Sequence, residues 1–180
     1  MKKALIVVDY QNDFVIGSLG FAGAERLDAV ICGKIRECRA DGGAVIFTMD
    51  THGASYAETR EGRNLRMPHC IRGTDGYRLY GECAKLKTDG DLVFEKPTFG
   101  SMELARYLEK SDFAQIELCG LAANICVLSN AVLARAALPE AEIIVDAAAT
   151  ASADADLTRK AFDIMEGLQI SVINRRRKAE

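Results

Sequence analysis

The chain has no long hydrophobic run. Ala4 to Val8 is its longest, far short of the roughly 18 residues needed to span hydrocarbon, and no signal-peptide pattern opens the sequence. A soluble, cytoplasmic protein without a membrane partner is expected. An excess of positive charge is also lacking: 23 Lys and Arg stand against 26 Asp and Glu, a net of −3, so no global field exists to hold phosphate backbones. No nucleic-acid partner is expected. The six cysteines, Cys32, Cys38, Cys70, Cys83, Cys119 and Cys126, contain no C-x-x-C pair, which removes both the thioredoxin motif and the usual zinc-ribbon spacing. Each thiol acts singly, in the reduced state. Gly17, Gly20 and Gly23 do not make G-x-G-x-x-G, and neither a phosphate-binding G-x-x-x-x-G-K-[ST] nor a G-x-S-x-G elbow occurs.

What is present fits one globular domain, 1–180. The length of 180 residues and the 49% apolar content suffice for an extended core. Ala4 to Val8 is a β-branched run that stops at Asp9, the pattern of a buried central strand. Residues 25–39 carry Leu27, Val30, Ile31, Ile35 and Cys38 at helical spacing, and Ala44 to Thr48 reads as a second buried strand. Some forty residues without a clear period follow, a length that inside a compact domain usually serves function. Strands are then predicted at 92–94, 115–119, 143–145 and 170–173, with helices at about 102–109, 124–138 and 154–166. Repeated βα units predict an α/β fold of three layers, α/β/α, with a doubly wound, mainly parallel sheet and right-handed crossovers. Arg175 to Lys178 reads as a solvated basic tail. A fold of this kind without a phosphate loop points to a hydrolase whose ligand sits beyond the carboxyl ends of the strands.

Three reactive groups fall at predicted carboxyl ends: Asp9, Lys96 and Cys126. A carboxylate, an ammonium and a thiol on one rim form a nucleophilic device. The start of the helix near Asn124 favours the Cys126 thiolate, and Asp9 is placed to take and return its proton. Taken singly, Cys126 reads as a core thiol, Asp9 as a cap and Lys96 as a surface charge. Their joint placement supports the site. Both histidines, His52 and His69, lie in the irregular stretch, and with Asp50 and either Glu61 or Glu58 they offer a mixed nitrogen and oxygen set for zinc, manganese or iron. Surface-loop histidines beside unrelated acids are the plain alternative.

Three segments carry a resemblance: Val7 to Phe14 with Asp9, Glu95 to Ser101 with Lys96, and Gly120 to Val127 with Cys126. Together and in this order they resemble the signatures of the isochorismatase-like cysteine hydrolases, the nicotinamidase/pyrazinamidase branch above all. The resemblance implies an isochorismatase-like hydrolase fold and an Asp9, Lys96, Cys126 triad. It also implies a cis peptide at Leu121–Ala122 and an oxyanion hole from the Ala122 and Cys126 N–H groups. It implies further a divalent metal on Asp50, His52 and His69. The usual third histidine is missing, and Glu61, ahead of Glu58, takes its place. Phe14, Tyr56, Phe99 and Leu121 are then the walls for a flat ring. The implied reaction is hydrolysis of a small amide through a thioester on Cys126, nicotinamide to nicotinate and ammonia in NAD salvage, in a chain that can assemble as a homo-oligomer. Another small-amide hydrolase, such as one acting on an N-carbamoyl compound, and a non-catalytic metal- or small-ligand-binding domain are the alternatives.

Overall fold

A computed structural model describes residues 2–175. In chain order the elements are β1 (Lys3–Val8), α1 (Asn12–Val15), a 3-10 turn (Ala24–Arg26), α2 (Leu27–Ala40), β2 (Ala44–Asp50), a second 3-10 turn (Tyr56–Glu58), α3 (Arg60–Asn64), α4 (Gly81–Leu86), β3 (Leu92–Lys96), α5 (Met102–Glu109), β4 (Gln115–Leu121), a π-helical turn (Ala123–Val127), α6 (Leu128–Ala137), β5 (Glu142–Ala151), α7 (Ala155–Gly167) and β6 (Ser171–Ile173). The strands form one six-stranded sheet in the order β3-β2-β1-β4-β5-β6, with every adjacent pair parallel.

Strand β1 explains the layering. Its side chains alternate between faces, so Ala4, Ile6 and Val8 enter one core with Leu104, Leu108, Ala131 and Phe162, while Leu5 and Val7 enter the other with Ile31 and Ile35. Burying each large aliphatic side chain of this kind contributes about 1.5–3 kcal/mol. Helices α5, α6 and α7 thus cover one face and α2 with α4 the other, the three layers that the alternation of strands and helices predicts. The strand order reverses direction between β1 and β4, and in such sheets the crevice outside the carboxyl ends at that point receives the ligand.

Several details differ from the spacing-based expectation. The stretch after β2 holds three short helical segments and is laced to the body by backbone bonds: His52 N–H to Cys70 O at 3.0 Å, Arg72 N–H to His52 O at 2.9 Å, Asp13 N–H to Gly76 O at 3.0 Å. Its period is obscured because each segment is a single turn or little more. Strand β5 runs on to Ala151 past a register shift opposite Leu118 and Gly120, through small residues that carry no strand pattern. The helix expected from Asn124 opens with the π turn, and α6 proper starts at Leu128. Arg175 is not solvated tail: it donates to Glu166 Oε2 at 2.8 Å and stacks over Phe162. Residues 176–178 of that basic run lie outside the described residues.

Candidate active site

Asp9 leaves β1 in the left-handed region, φ 46°. An aspartate tolerates that conformation better than a branched residue does, and it turns the carboxylate back over the strand ends. Thr48 Oγ1 donates to Asp9 Oδ1 at 2.7 Å, from the β2 residue in register with Val8. Lys96, the last residue of β3, pairs in register with Asp50 at the end of β2, and its side chain is 1% exposed. Its Nζ lies 2.6 Å from Asp9 Oδ2, 3.3 Å from Asp50 Oδ1 and 3.5 Å from Cys126 Sγ, and donates to Thr98 O at 2.9 Å. The three groups that sequence places far apart therefore meet around one ammonium.

Cys126 sits inside the π turn, 5% exposed. Such turns insert one residue into a helix and concentrate at functional sites. Ile125 and Val127 N–H groups both bond to Ala122 O, at 3.0 and 3.1 Å, and the Leu121–Ala122 peptide is cis. Burial, joined by the nearby Asp9 carboxylate, pushes the Cys126 thiol well above its ordinary range, and the pull of Lys96 in the other direction does not prevail. This corrects the expectation of a resting thiolate: desolvation outweighs the helix-end field, so the free site holds a neutral thiol next to a base. Burial also raises the Asp9 carboxyl against the lowering effect of Lys96. Lys96 itself stays charged, because the carboxylates of Asp9 and Asp50 outweigh the desolvation that would lower it.

Beside this cluster Asp50, His52 and His69, all buried, offer ligand atoms within 4.8 Å of one another. Both imidazole Nε2 atoms face Asp50 Oδ2, at 3.1 and 3.2 Å, and Glu61 Oε1 stands 3.8 Å from His52 Nε2 and 3.5 Å from His69 Nε2. Atoms bound about 2.0–2.2 Å from one ion lie roughly 3.0–3.5 Å apart, so the Asp50 oxygen and the imidazole nitrogens facing it have the spacing of a candidate divalent-metal site, with the Glu61 oxygen somewhat wide of it at His52. His69 Nδ1 donates to Met67 O at 2.8 Å, which fixes the ring with Nε2 turned toward Asp50 and Glu61. Burial would raise the Asp50 carboxyl, but hydrogen bonds from His52 and His69 and the charge of Lys96 hold it below the ordinary range. Glu58 is exposed, and its carbonyl accepts from Arg63.

The candidate ring walls divide. Phe14 packs on His69, ring centres 5.6 Å apart, and half-exposed Phe99 lines a cavity of about 470 Å³ together with Glu61, Leu65 and Thr98. Tyr56 stands edge-on to both imidazoles, 4.8 and 5.2 Å away, with its hydroxyl donating to Leu65 O, and so backs the two rings. The Leu121 side chain lies elsewhere than expected. Strand alternation turns it with Cys119 into the core under α2, so this position offers the site only its peptide to Ala122.

Sequence reasoning missed Thr48 and Gln11. Gln11 is fully buried, donates to Asp50 O at 2.9 Å and accepts from Asp50 N–H at 2.8 Å, pinning the end of β2 that carries the Asp50 carboxylate. Its place inside the Val7 to Phe14 signature was the available signal. Thr48 carries none beyond strand parity.

A family model described as "Isochorismatase domain" matches residues 3–176. An uncharacterized isochorismatase family protein PncA of Bacillus subtilis is 34% identical over 146 residues, 73% of this chain and 78% of that protein. The nicotinamidase/pyrazinamidase of Mycobacterium tuberculosis is 28% identical over 188 residues, covering 95% and 98%. The crystal structure of a nicotinamidase/pyrazinamidase PncA from Bacillus subtilis superposes with a TM-score of 0.86 at 30% identity, covering 96% of this chain and 99% of that one.

Proposed function

The chain belongs to the isochorismatase family, and from that premise we propose that it is a cysteine-dependent amidohydrolase acting on nicotinamide. The observation that carries this reading is the Lys96 ammonium 2.6 Å from Asp9 and 3.5 Å from Cys126, next to a metal-binding constellation. The relatives at comparable length named nicotinamidase/pyrazinamidase support the substrate class.

The chemistry follows from the protonation states. Asp9 takes the proton of the neutral Cys126 thiol as sulfur attacks the carboxamide carbon, and Lys96 keeps the carboxylate and the nascent thiolate in one charge-balanced group. The N–H groups of Ala122 and Cys126 receive the oxyanion, each such donor contributing about 3–4 kcal/mol. Asp9 returns the proton to the departing ammonia; water deprotonated at the same carboxylate then attacks the thioester carbon, the carbon–sulfur bond breaks, and Asp9 passes that proton to the released Cys126 sulfur. Asp50, His52, His69 and Glu61 would hold the divalent metal, zinc, manganese or iron, which when bound supplies a Lewis acid for a ring nitrogen of the substrate. The role in the cell is cytoplasmic NAD salvage. The test is ammonia release from nicotinamide, with an N-carbamoyl compound in parallel: wild type should be active and Cys126→Ala should be inactive while melting as wild type does. A Cys126→Ala protein with wild-type turnover would defeat the proposal.

A further inference from the structure

One buried amide touches both halves of the triad's support. Asn130, on α6 one helical turn beyond Cys126, is 1% exposed. Its Nδ2 donates to Cys126 O at 2.8 Å and to Phe99 O at 3.1 Å, and its Oδ1 accepts from Ser101 N–H at 3.0 Å. Both donors and the carbonyl are thus engaged, which fixes the side chain in one orientation.

The two segments it joins carry the reacting groups. On one side is the turn that presents the sulfur. On the other, the chain leaves Lys96 through Thr98, whose carbonyl holds the ammonium at 2.9 Å, and continues into Phe99 at the cavity wall. Ser101 then caps α5 by accepting from Leu104 N–H at 3.1 Å. The loop lies close on α6, since a Cβ built at Gly100 would meet Leu133 Cδ1 at 2.8 Å. A leucine there would leave the Cys126 and Phe99 carbonyls and the Ser101 N–H without these partners, so the amide is spent wholly on joining the two backbones. The 3.5 Å contact from Lys96 to Cys126 lengthens with any slip between them.

We infer that Asn130 is a positioning residue that sets the separation of the Cys126 sulfur from Lys96, by tying the nucleophile turn to the 97–101 loop. The inference rests on the amidohydrolase reading above.

Asn130→Thr tests it. A threonine hydroxyl bonds the carbonyl four residues back in a helix, here that of Cys126, but falls short of Phe99 and Ser101, so the helix is kept and the tie is cut. Four quantities are read: the thermal midpoint, kcat and KM on nicotinamide, and the rate of Cys126 alkylation by iodoacetamide at one neutral pH, mapped by mass spectrometry. In the folded variant kcat should fall about 10- to 100-fold with KM within roughly three-fold, and alkylation should slow about 10-fold. The alkylation rate decides the matter, because it needs no amide substrate: a wild type inert toward nicotinamide would sink the functional reading and leave this comparison standing. A folded variant alkylated within about two-fold of the wild-type rate overturns the inference. If Asn130→Thr does not fold, Asn130→Ser is read in the same way. Failure of both to fold also overturns it, since the amide's role is then structural.

Discussion

Lys96 Nζ lies 2.6 Å from Asp9 Oδ2, with both side chains withdrawn from solvent, the ammonium at 1% and the carboxylate at 0% exposure. Removing one partner of such a pair leaves a buried charge uncompensated and destabilises by about 3–5 kcal/mol, partly relieved here by Asp50 at 3.3 Å. Asp9→Asn keeps the shape and removes the base. Turnover should fall by roughly 10²- to 10⁴-fold and the urea midpoint should drop in the same protein. Nicotinamide turnover at the wild-type rate would remove Asp9 from the mechanism.

The Cys126 thiol is held above the ordinary range by burial, with Asp9 adding to the shift. Its thiolate fraction at neutral pH is therefore smaller than that of a free cysteine. Labelling by iodoacetamide, localised to Cys126 among six buried thiols, should keep rising with pH beyond the point where an ordinary thiol levels off. A plateau reached at acidic or neutral pH would mean a preformed thiolate.

Glu61 and Glu58 separate by metal affinity. Of the two, Glu61 is the one with an oxygen near both imidazole Nε2 atoms, at 3.8 and 3.5 Å. Glu61→Ala should weaken the divalent metal by at least about 10-fold, whereas Glu58→Ala should leave it unchanged. Equilibrium dialysis with metal analysis reads the difference, and equal losses in both variants would discard the assignment.

Gly120 is the tightest backbone approach at the reversal point of the sheet. Its φ is +108°, and a Cβ there would meet Val8 O at 2.1 Å. Gly120→Ala should cost at least about 1–3 kcal/mol from backbone conformation alone. It also pushes β1 from β4 directly beneath Asp9 and the Ala122 turn, so chemical denaturation and turnover should both register the change. An alanine variant as stable and active as wild type would show that the strands part freely.

Much of the fold was legible because strands and helices announce themselves by local period. Ala4 to Val8 alternates into two cores, and the repeated βα units leave a parallel sheet as the economical arrangement. The order of strands was not legible: β3 and β6 are both short apolar runs, and only pairing assigns one to each edge. In the site, residue type and position at a strand end marked Asp9, Lys96 and Cys126. The resemblance misled for Leu121, where parity along β4 sends the side chain inward. It was silent on Thr48 and Asn130, whose roles are bonds to residues 39 and 31 positions away.

The sequence by itself determined the chemical inventory: one thiol, one ammonium and one carboxylate at strand ends, and two histidines among acids in the irregular stretch after the second strand. It also determined the sheet-forming pattern, since side-chain polarity and backbone preference act over a few residues. Only the tertiary structure decided that the thiol rests protonated. Charge state depends on how much water surrounds the sulfur and which charges stand within a few ångströms, and both are properties of packing between distant segments.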